Sequence, residues 1–322
     1  MSPEIEQASR LLRDGRLVAF PTETVYGLGA RADRDEAVAG IFAAKGRPSF
    51  DPLIVHVPDL EAALSWAVFD GRALALAQAC WPGPLTLILP RRAGVSDLVT
   101  SGLPTVGIRI PDHPLALALL RACALPVAAP SANPFGYVSP TTAQHVRTGL
   151  GDRVDLILDG GPCRVGVEST IVSLVDGQAR LLRPGGIPRE ILERHLGQEL
   201  SYSGHAPAVD HPSAPGMLES HYAPGRAVVE CFESKAGLEA RARALGGDCA
   251  VLGQDLSNIP GRARADLGRT DLEMATGLFL ALRTLDRPEI RTILALLPPP
   301  QGLGLAVRDR LIRAGGSRPV LP

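Results

Sequence analysis

The sequence predicts an α+β or mixed-sheet α/β domain followed by a smaller α/β unit with a parallel sheet. Three observations predict it. Up to about residue 195, apolar runs of strand length and helical periodicities are mixed without regular βαβ alternation. Residues 197–225 then carry Pro207, Pro212, Pro215 and Pro224 and no periodicity, which marks a linker or a functional loop. Beyond them strand and helix patterns alternate, as parallel strands joined by crossover helices require.

Taken in order, residues 5–14 read as a helix because Ile5, Ala8, Leu11 and Leu12 recur at helical spacing. Residues 17–20, LVAF, are a buried strand, and 35–44 a short helix with Asp33 or Asp35 available as N-cap. Strands follow at 53–57, 85–89, 105–110, 127–129 and 156–159, each an apolar run beside proline, glycine or polar residues. Helices fall at 60–68, 73–80, 115–122, 142–148 and 188–195. Residues 169–175 and 179–183 form a hairpin across Asp176-Gly177. The second unit reads as strand 227–232, helix 236–245, strand 249–252, helix 271–285, strand 292–296 and helix 304–313. The resulting boundaries are 1–200, a linker or functional loop at 201–225, and 226–322.

The chain has 322 residues, 45% hydrophobic and 21% charged, as in an ordinary globular protein with room for two domains. No apolar run approaches the ~18 residues that span a bilayer. The N-terminus, MSPEIEQASRLLRDGR, lacks a secretory apolar region, so the expected location is the cytoplasm and no membrane partner is expected. Five widely spaced cysteines without a C-x-x-C pair suggest neither a disulfide framework nor a zinc site. A net charge of -1 excludes a global basic field for nucleic acid and leaves only a local patch open. Of the 33 basic residues only Lys45 and Lys235 are lysine. A surviving lysine marks either chance or a place where a compact ammonium is needed.

P-loop, dinucleotide-fold glycine, zincin and nucleophile-elbow motifs are absent, so a nucleotide site has to be built another way. Five stretches stand out. In PTETVYGLGA (21–30) a buried strand runs into Thr22, Glu23 and Thr24. Extended geometry would set Thr22 and Thr24 on one side and Glu23 on the other, with Tyr26 walling a pocket and Gly27 and Gly29 admitting a ligand or a sharp turn. KGRPSFDPLIVHV (45–57) places Lys45 and Arg47 together, and His56 inside an apolar strand. It is either a phosphate grip or a solvated basic turn followed by a core histidine. TVGIRIPDHP (105–114) puts Thr105, Gly107 and Arg109 on one strand face, where Arg109 meets either an anion or a surface carboxylate. APSANPFGYVSPT (129–141) and GPCRVGVESTIVSL (161–174) repeat the opening pattern, with Ser131, Asn133, Glu168, Ser169 and Thr170 at strand ends. Turn chemistry explains such groups as well as ligand binding does. Arg183 precedes Pro184-Gly185-Gly186, a cation beside a glycine turn. Together the strand ends and the cations Lys45, Arg47, Arg109 and Arg183 suggest one shared cleft.

PTETVYGLGA, KGRP…PLIVHV, WPGPLTLIL, GIRIPDHP, APSANPFGYVSPT, VESTIV and LLRPGGI occur in this order over residues 17–187. They resemble the YrdC-like family, and within it the longer threonylcarbamoyl-AMP synthases, whose tail the proline-containing SAPGMLESHYAP (213–224) and residues 226–322 also fit. The resemblance implies a YrdC-like α/β fold with a mixed, twisted sheet, followed by a smaller Rossmann-like α/β domain. It implies a nucleotidyltransferase that joins L-threonine, bicarbonate and ATP into L-threonylcarbamoyladenylate and pyrophosphate, for the t6A modification of transfer RNA. Carried over by position, Thr24, His56, Arg109, Ala129 and Ser169 would surround threonine. Lys45 and Arg47 would supply catalytic charge and, with Ser131, Asn133, Ser139 and Arg183, hold ATP. Asp51 and Thr105 are further nucleotide candidates, and His221 and Tyr222 would approach from the linker. Mg2+ would arrive with ATP, held mostly by phosphates and water rather than by side chains. Transfer RNA and downstream t6A-transfer proteins are the further partners implied. The chain departs from the family pattern at Leu218-Glu219-Ser220, where related linkers carry a basic residue and an aromatic, and at Asp51, which stands where an asparagine is usual. An anion there needs Lys45, Arg47 or magnesium to face it. The competing readings are an RNA-binding module of the same fold and a carbamoyltransferase-type activity.

Overall fold

A computed structural model of the chain describes residues 2–202, 214–216 and 221–321. Among these, nine strands form one mixed sheet: β1 (Val18–Phe20), β2 (Gly27–Arg31), β3 (Ile54–His56), β4 (Leu85–Pro90), β5 (Thr105–Arg109), β6 (Val127–Ala128), β7 (Leu156–Ile157), β8 (Thr170–Ser173) and β9 (Arg180–Arg183). Their spatial order is β7-β1-β2-β6-β3-β5-β4-β8-β9. Central β3 and β5 run parallel, whereas β4 lies antiparallel to β5 and parallel to β8. Helices cover both faces, which is why these strands read as continuous apolar runs rather than as alternations. The helices are α1 (Pro3–Arg13), α2 (Asp35–Lys45), α3 (Leu60–Leu64), α4 (Gly71–Cys80), α5 (Asp97–Thr100), α6 (Pro114–Cys123), α7 (Ala143–Leu150) and α8 (Arg189–Leu196). Along β1 the side chains alternate: Val18 and Phe20 pack with Ile5, Leu12, Leu119 and Leu120 of α1 and α6, while Ala19 joins Val38, Ile41 and Leu76 on the other face.

The second sheet is wholly parallel, with β10 (Val228–Phe232), β11 (Ala250–Gly253), β12 (Ala263–Asp266) and β13 (Thr292–Leu296) in the order β10-β13-β11-β12. α9 (Lys235–Ala244) and α10 (Asp271–Leu285) cross over between strands, and α11 (Gly304–Gly315) closes the domain. The two domains share an apolar cluster: Met274, Leu278, Phe279 and Leu282 of α10 pack with Val138, Val165 and Val167 of the first domain. Gly166 (φ +79°) lies so close to α10 that a Cβ there would come 2.4 Å from the Thr276 Cα. The two units therefore meet by close backbone approach as well as by apolar packing.

Several expectations need correction. β2 has no strand expectation behind it; its GLGAR sequence has weak strand propensity, and pairing with β1 and β6 imposes the conformation. β12 and the short α5 were also unforeseen. The helix read at 60–68 ends at Leu64, and the strand read at 156–159 pairs only over Leu156–Ile157. The N-cap of α2 is Arg34, without a side-chain cap, because Asp33 is taken by Arg31 at 2.7 Å. The β8–β9 hairpin turns as expected, with Asp176 and Gly177 at φ +55° and +73°.

Candidate active site

Residues 22–25 do not continue the strand as an extended segment. Thr22 Oγ1 accepts the backbone N–H groups of Thr24 and Val25, each at 3.2 Å, and donates to the Val25 carbonyl at 2.6 Å. This hydroxyl-closed turn replaces the expected alternation, yet it still sets the Thr22 and Thr24 hydroxyls together, 2.8 Å apart. Glu23 takes another course and is fully buried. Its Oε1 lies 2.6 Å from Arg109 Nη2, and its Oε2 accepts the Asp112 N–H at 3.0 Å. Arg109 Nη2 also donates to Thr24 Oγ1 at 2.9 Å, while its buried Nε has no hydrogen-bond partner.

Parallel pairing of β3 with β5 sets His56 in register with Arg109. Burial, and next the Arg109 charge, push the His56 pKa down to about 3, so the ring is neutral. Ser169, at the edge of β8, holds Thr86 Oγ1 at 2.8 Å. Arg183, at the end of β9, donates to the Ser169 carbonyl and hydroxyl and, at 3.1 Å, to the Pro215 carbonyl. Thr24, His56, Arg109, Ala129 and Ser169 line one cavity of about 50 Å³, together with Arg47, Ser131, Arg183, His221 and Tyr222. Thr22, Glu168, Pro215 and Gly216 also line it and were not singled out as ligands.

The remaining nucleotide candidates do not line this cavity. Lys45, at the end of α2, donates to the Ser131 and Asn133 carbonyls, each at 2.5 Å, and so secures the 131–133 loop. Burial, and next the Arg47 charge, hold its pKa well below the usual lysine range. Arg47 is fastened within its own segment: it donates to the Asp51 and Pro52 carbonyls and pairs with Asp51 Oδ2 at 2.8 Å. The Asp51 carboxylate is fully buried and makes that ion pair without hydrogen-bond geometry. It therefore faces Arg47, as an anion at this position requires. Asn133 Nδ2 bonds the Pro134 and Tyr137 carbonyls, leaving its buried Oδ1 without a partner. Ser139 donates to Glu168 Oε1 at 2.5 Å. Thr105 begins β5, opposite Pro90, about 13 Å along the strand from Arg109. Thr105 does not line the cavity.

Two further readings of PTETVYGLGA change. Tyr26 is buried in the core, bonded through its hydroxyl to the Gly161 carbonyl at 2.7 Å, and does not wall the pocket. Gly29 is required by packing, since a Cβ would come 2.8 Å from the Phe20 ring and 2.9 Å from Val127. Gly27 does line the cavity.

From the linker, Pro215, Gly216, His221 and Tyr222 close over the cavity. Residues 203–213 and 217–220, including the Leu218-Glu219-Ser220 departure, lie outside the described residues. The His221 ring packs edge-on to Phe135 at 6.0 Å, and Tyr222 stacks on Phe279 of α10 at 5.7 Å. Tyr222 holds φ at +63°, a strained value for a non-glycine residue. Burial and then Arg47, Lys45 and Arg183 keep His221 neutral. Arg310 of α11, wholly buried, pairs with Glu168 Oε2 at 2.8 Å. No sequence signal marks it, because VRDRLIR reads as an ordinary amphipathic helix. Among the described residues, no group of three or more His, Cys, Asp or Glu side chains could hold a metal ion. Among them also, no helix is long and apolar enough to cross a membrane.

Residues 10–185 match the Sua5/YciO/YrdC family model, described as telomere recombination, and residues 187–316 match the threonylcarbamoyl-AMP synthase C-terminal domain. A threonylcarbamoyl-AMP synthase of Bacillus subtilis is 43% identical, over 98% of this chain and 94% of its own. One of Pyrococcus abyssi is 42% identical, over 98% and 95%. The crystal structure of P. abyssi Sua5 complexed with L-threonine superposes with a TM-score of 0.92 at 42% identity, covering 99% of this chain and 96% of that one.

Proposed function

Because the chain belongs to the threonylcarbamoyl-AMP synthase family, we propose that its cleft joins L-threonine, bicarbonate and ATP into L-threonylcarbamoyladenylate with release of pyrophosphate. The observation that carries this reading is the polarity of a single cavity. Arg109, Thr24, Ser169 and neutral His56 line it together with Arg47 and Arg183, and on this reading the first four form one part and the two arginines another. The first part suits an amino acid: Arg109, with its free Nε, takes the carboxylate, and the hydroxyls accept from the ammonium or bond the substrate hydroxyl. The second part suits phosphates. Arg47, Arg183 and Ser131 meet the nucleotide, while Lys45, Asn133 and Ser139 fix the loops that shape its site.

Chemistry of this kind asks for position and charge rather than a protein nucleophile. The threonine amine adds to carbon dioxide with loss of a proton, or to bicarbonate with loss of water, and the carbamate oxygen then attacks the α-phosphate, expelling pyrophosphate. Developing negative charge on the phosphate is met by arginines that are already oriented and desolvated. Magnesium enters as part of the nucleotide substrate, held by phosphates and water. A carbamate is unstable in water, so a closed site preserves it. A cavity of about 50 Å³ is far below the ~300 Å³ or more of a small-molecule pocket. Hence His221, Tyr222 and the 214–216 segment move to admit ATP and close again. On this reading residues 1–200 are catalytic, 201–225 the lid and 226–322 the second domain. The product serves t6A formation on transfer RNA in the cytoplasm.

Pyrophosphate release measured with threonine, with serine and without amino acid tests the reading. Threonine-dependent release is expected; release that ignores the amino acid, or none at all, overturns it.

A further inference from the structure

The site is not made by the first domain alone. Arg310, from α11 of the second domain, is the largest fully buried side chain among the described residues. Its guanidinium reaches two residues of the cleft wall, Glu168 and Tyr222, and the Pro184 turn beside them. Nε donates to Glu168 Oε2 at 2.8 Å, and Nη2 donates to the Pro184 carbonyl at 3.0 Å. Its plane also lies over the Tyr222 ring, 5.0 Å from the centroid. Nη1 is anchored by Asp309 at 2.5 Å, which fixes the fork on its own helix. Glu168 completes the chain: its other oxygen accepts Ser139, and its backbone carbonyl accepts the Gly186 N–H at 3.0 Å. Glu168 lines the cavity with Ser169 and Arg183, where the amino-acid part assigned above meets the phosphate part.

A buried carboxylate at that place is a liability for a polyanionic substrate. With its charge uncompensated it repels the triphosphate and draws Arg183 away from it. A planar fork that neutralises Glu168, ties the 184–186 turn and supports Tyr222 removes that liability in one residue, which an ammonium cannot do.

We propose that Arg310 is a positioning residue through which the second domain completes the nucleotide part of the active site, by neutralising Glu168 and seating Pro184 and Tyr222 around bound ATP. This rests on the assignment of that part of the cleft to ATP. The interdomain hydrogen bond from Tyr137 to Asp286, at 3.0 Å, touches none of these groups and serves as the comparison.

The test compares full-length wild type, Arg310→Met, Arg310→Lys, Arg310→Met with Glu168→Gln, and Tyr137→Phe. Each is assayed for threonine-dependent pyrophosphate release, with KM for ATP and for threonine determined separately and thermal unfolding alongside. Arg310→Met is expected to raise KM for ATP about 10-fold or more and to leave KM for threonine within about 2-fold. Arg310→Lys falls between, and adding Glu168→Gln returns most of the loss, because the unpaired charge is gone. Tyr137→Phe keeps the wild-type KM for ATP. A folded Arg310→Met with wild-type KM for ATP, or a loss that Glu168→Gln does not relieve, overturns the inference. Should Arg310→Met fail to fold, Arg310→Lys decides, and a wild-type KM for ATP in that variant overturns it. A wild-type enzyme inactive with threonine refutes the function itself, whereas an active wild type with unaffected variants refutes only the role of Arg310.

Discussion

Glu23→Gln separates two roles of the buried Glu23–Arg109 pair, a fastening of the 109–112 segment and a placeholder for a substrate carboxylate. Glu23 is fully buried and Arg109 nearly so, with 2.6 Å between their charged atoms. Removing one charge from such a pair costs roughly 3–5 kcal/mol, because the partner is left uncompensated in the interior. Glutamine retains a carbonyl oxygen for the Asp112 N–H, so the lower end, ~3 kcal/mol, is expected. At ~2–4 °C per kcal/mol for a domain of this size, the melting temperature should fall by ~6–12 °C. Saturating threonine should then restore more stability to the variant than it adds to the wild type, since its carboxylate supplies the missing charge beside Arg109. Tenfold tighter binding in the variant would add ~1.4 kcal/mol to the ligand's stabilisation. Thermal unfolding of both proteins across a threonine titration measures both quantities. Equal melting temperatures without ligand, or equal threonine increments, would refute the reasoning.

Other outcomes follow from the same geometry. Arg47→Ala removes a cation that lines the cavity and that we assign to the phosphates, and should reduce adenylate formation by about 10²-fold or more, read as kcat/KM for ATP. Lys45→Arg should also suppress it, because a planar fork cannot replace an ammonium held between two carbonyls at 2.5 Å; wild-type turnover would make the lone lysine a compositional accident. Gly166→Ala should lower stability by ~2 kcal/mol or more in denaturant titration, since its Cβ would press on the α10 backbone. The pKa of His56 falls from 6.5 in the unfolded chain to about 3 in the folded one, through burial first and the Arg109 charge next. The unfolded state therefore binds the extra proton first, and stability present above pH 6.5 is lost as pH falls toward 3, by up to ~1.4 kcal/mol per pH unit. His221 is depressed in the same direction. His56→Asn should flatten that slope in unfolding measured between pH 7 and 4.

What was legible in the sequence was whatever depends on local pattern. Apolar runs marked most strands of both sheets, helical spacing marked α1, α6 and α10, and strand-end hydroxyls and arginines marked Thr24, Ser131, Ser169, Arg47, Arg109 and Arg183 of the cavity wall. Patterns of this kind survive because a buried strand has to be apolar and a turn has to carry residues that close it. Three things were decided only in the folded molecule. GLGAR became β2 because its neighbours in the sheet supplied the hydrogen bonds its own propensity does not. Glu23 and Asp51 acquired their roles from partners: Arg109 is 86 residues away along the chain, and Arg47 is fixed by a fold of its own loop. Arg310 reaches Glu168, which lines the cavity, from 142 residues further along the chain. Local sequence sets backbone preference and burial pattern, but a buried charge is given meaning only by the opposite charge that tertiary packing brings to it, and nothing in VRDRLIR announces which carboxylate that will be.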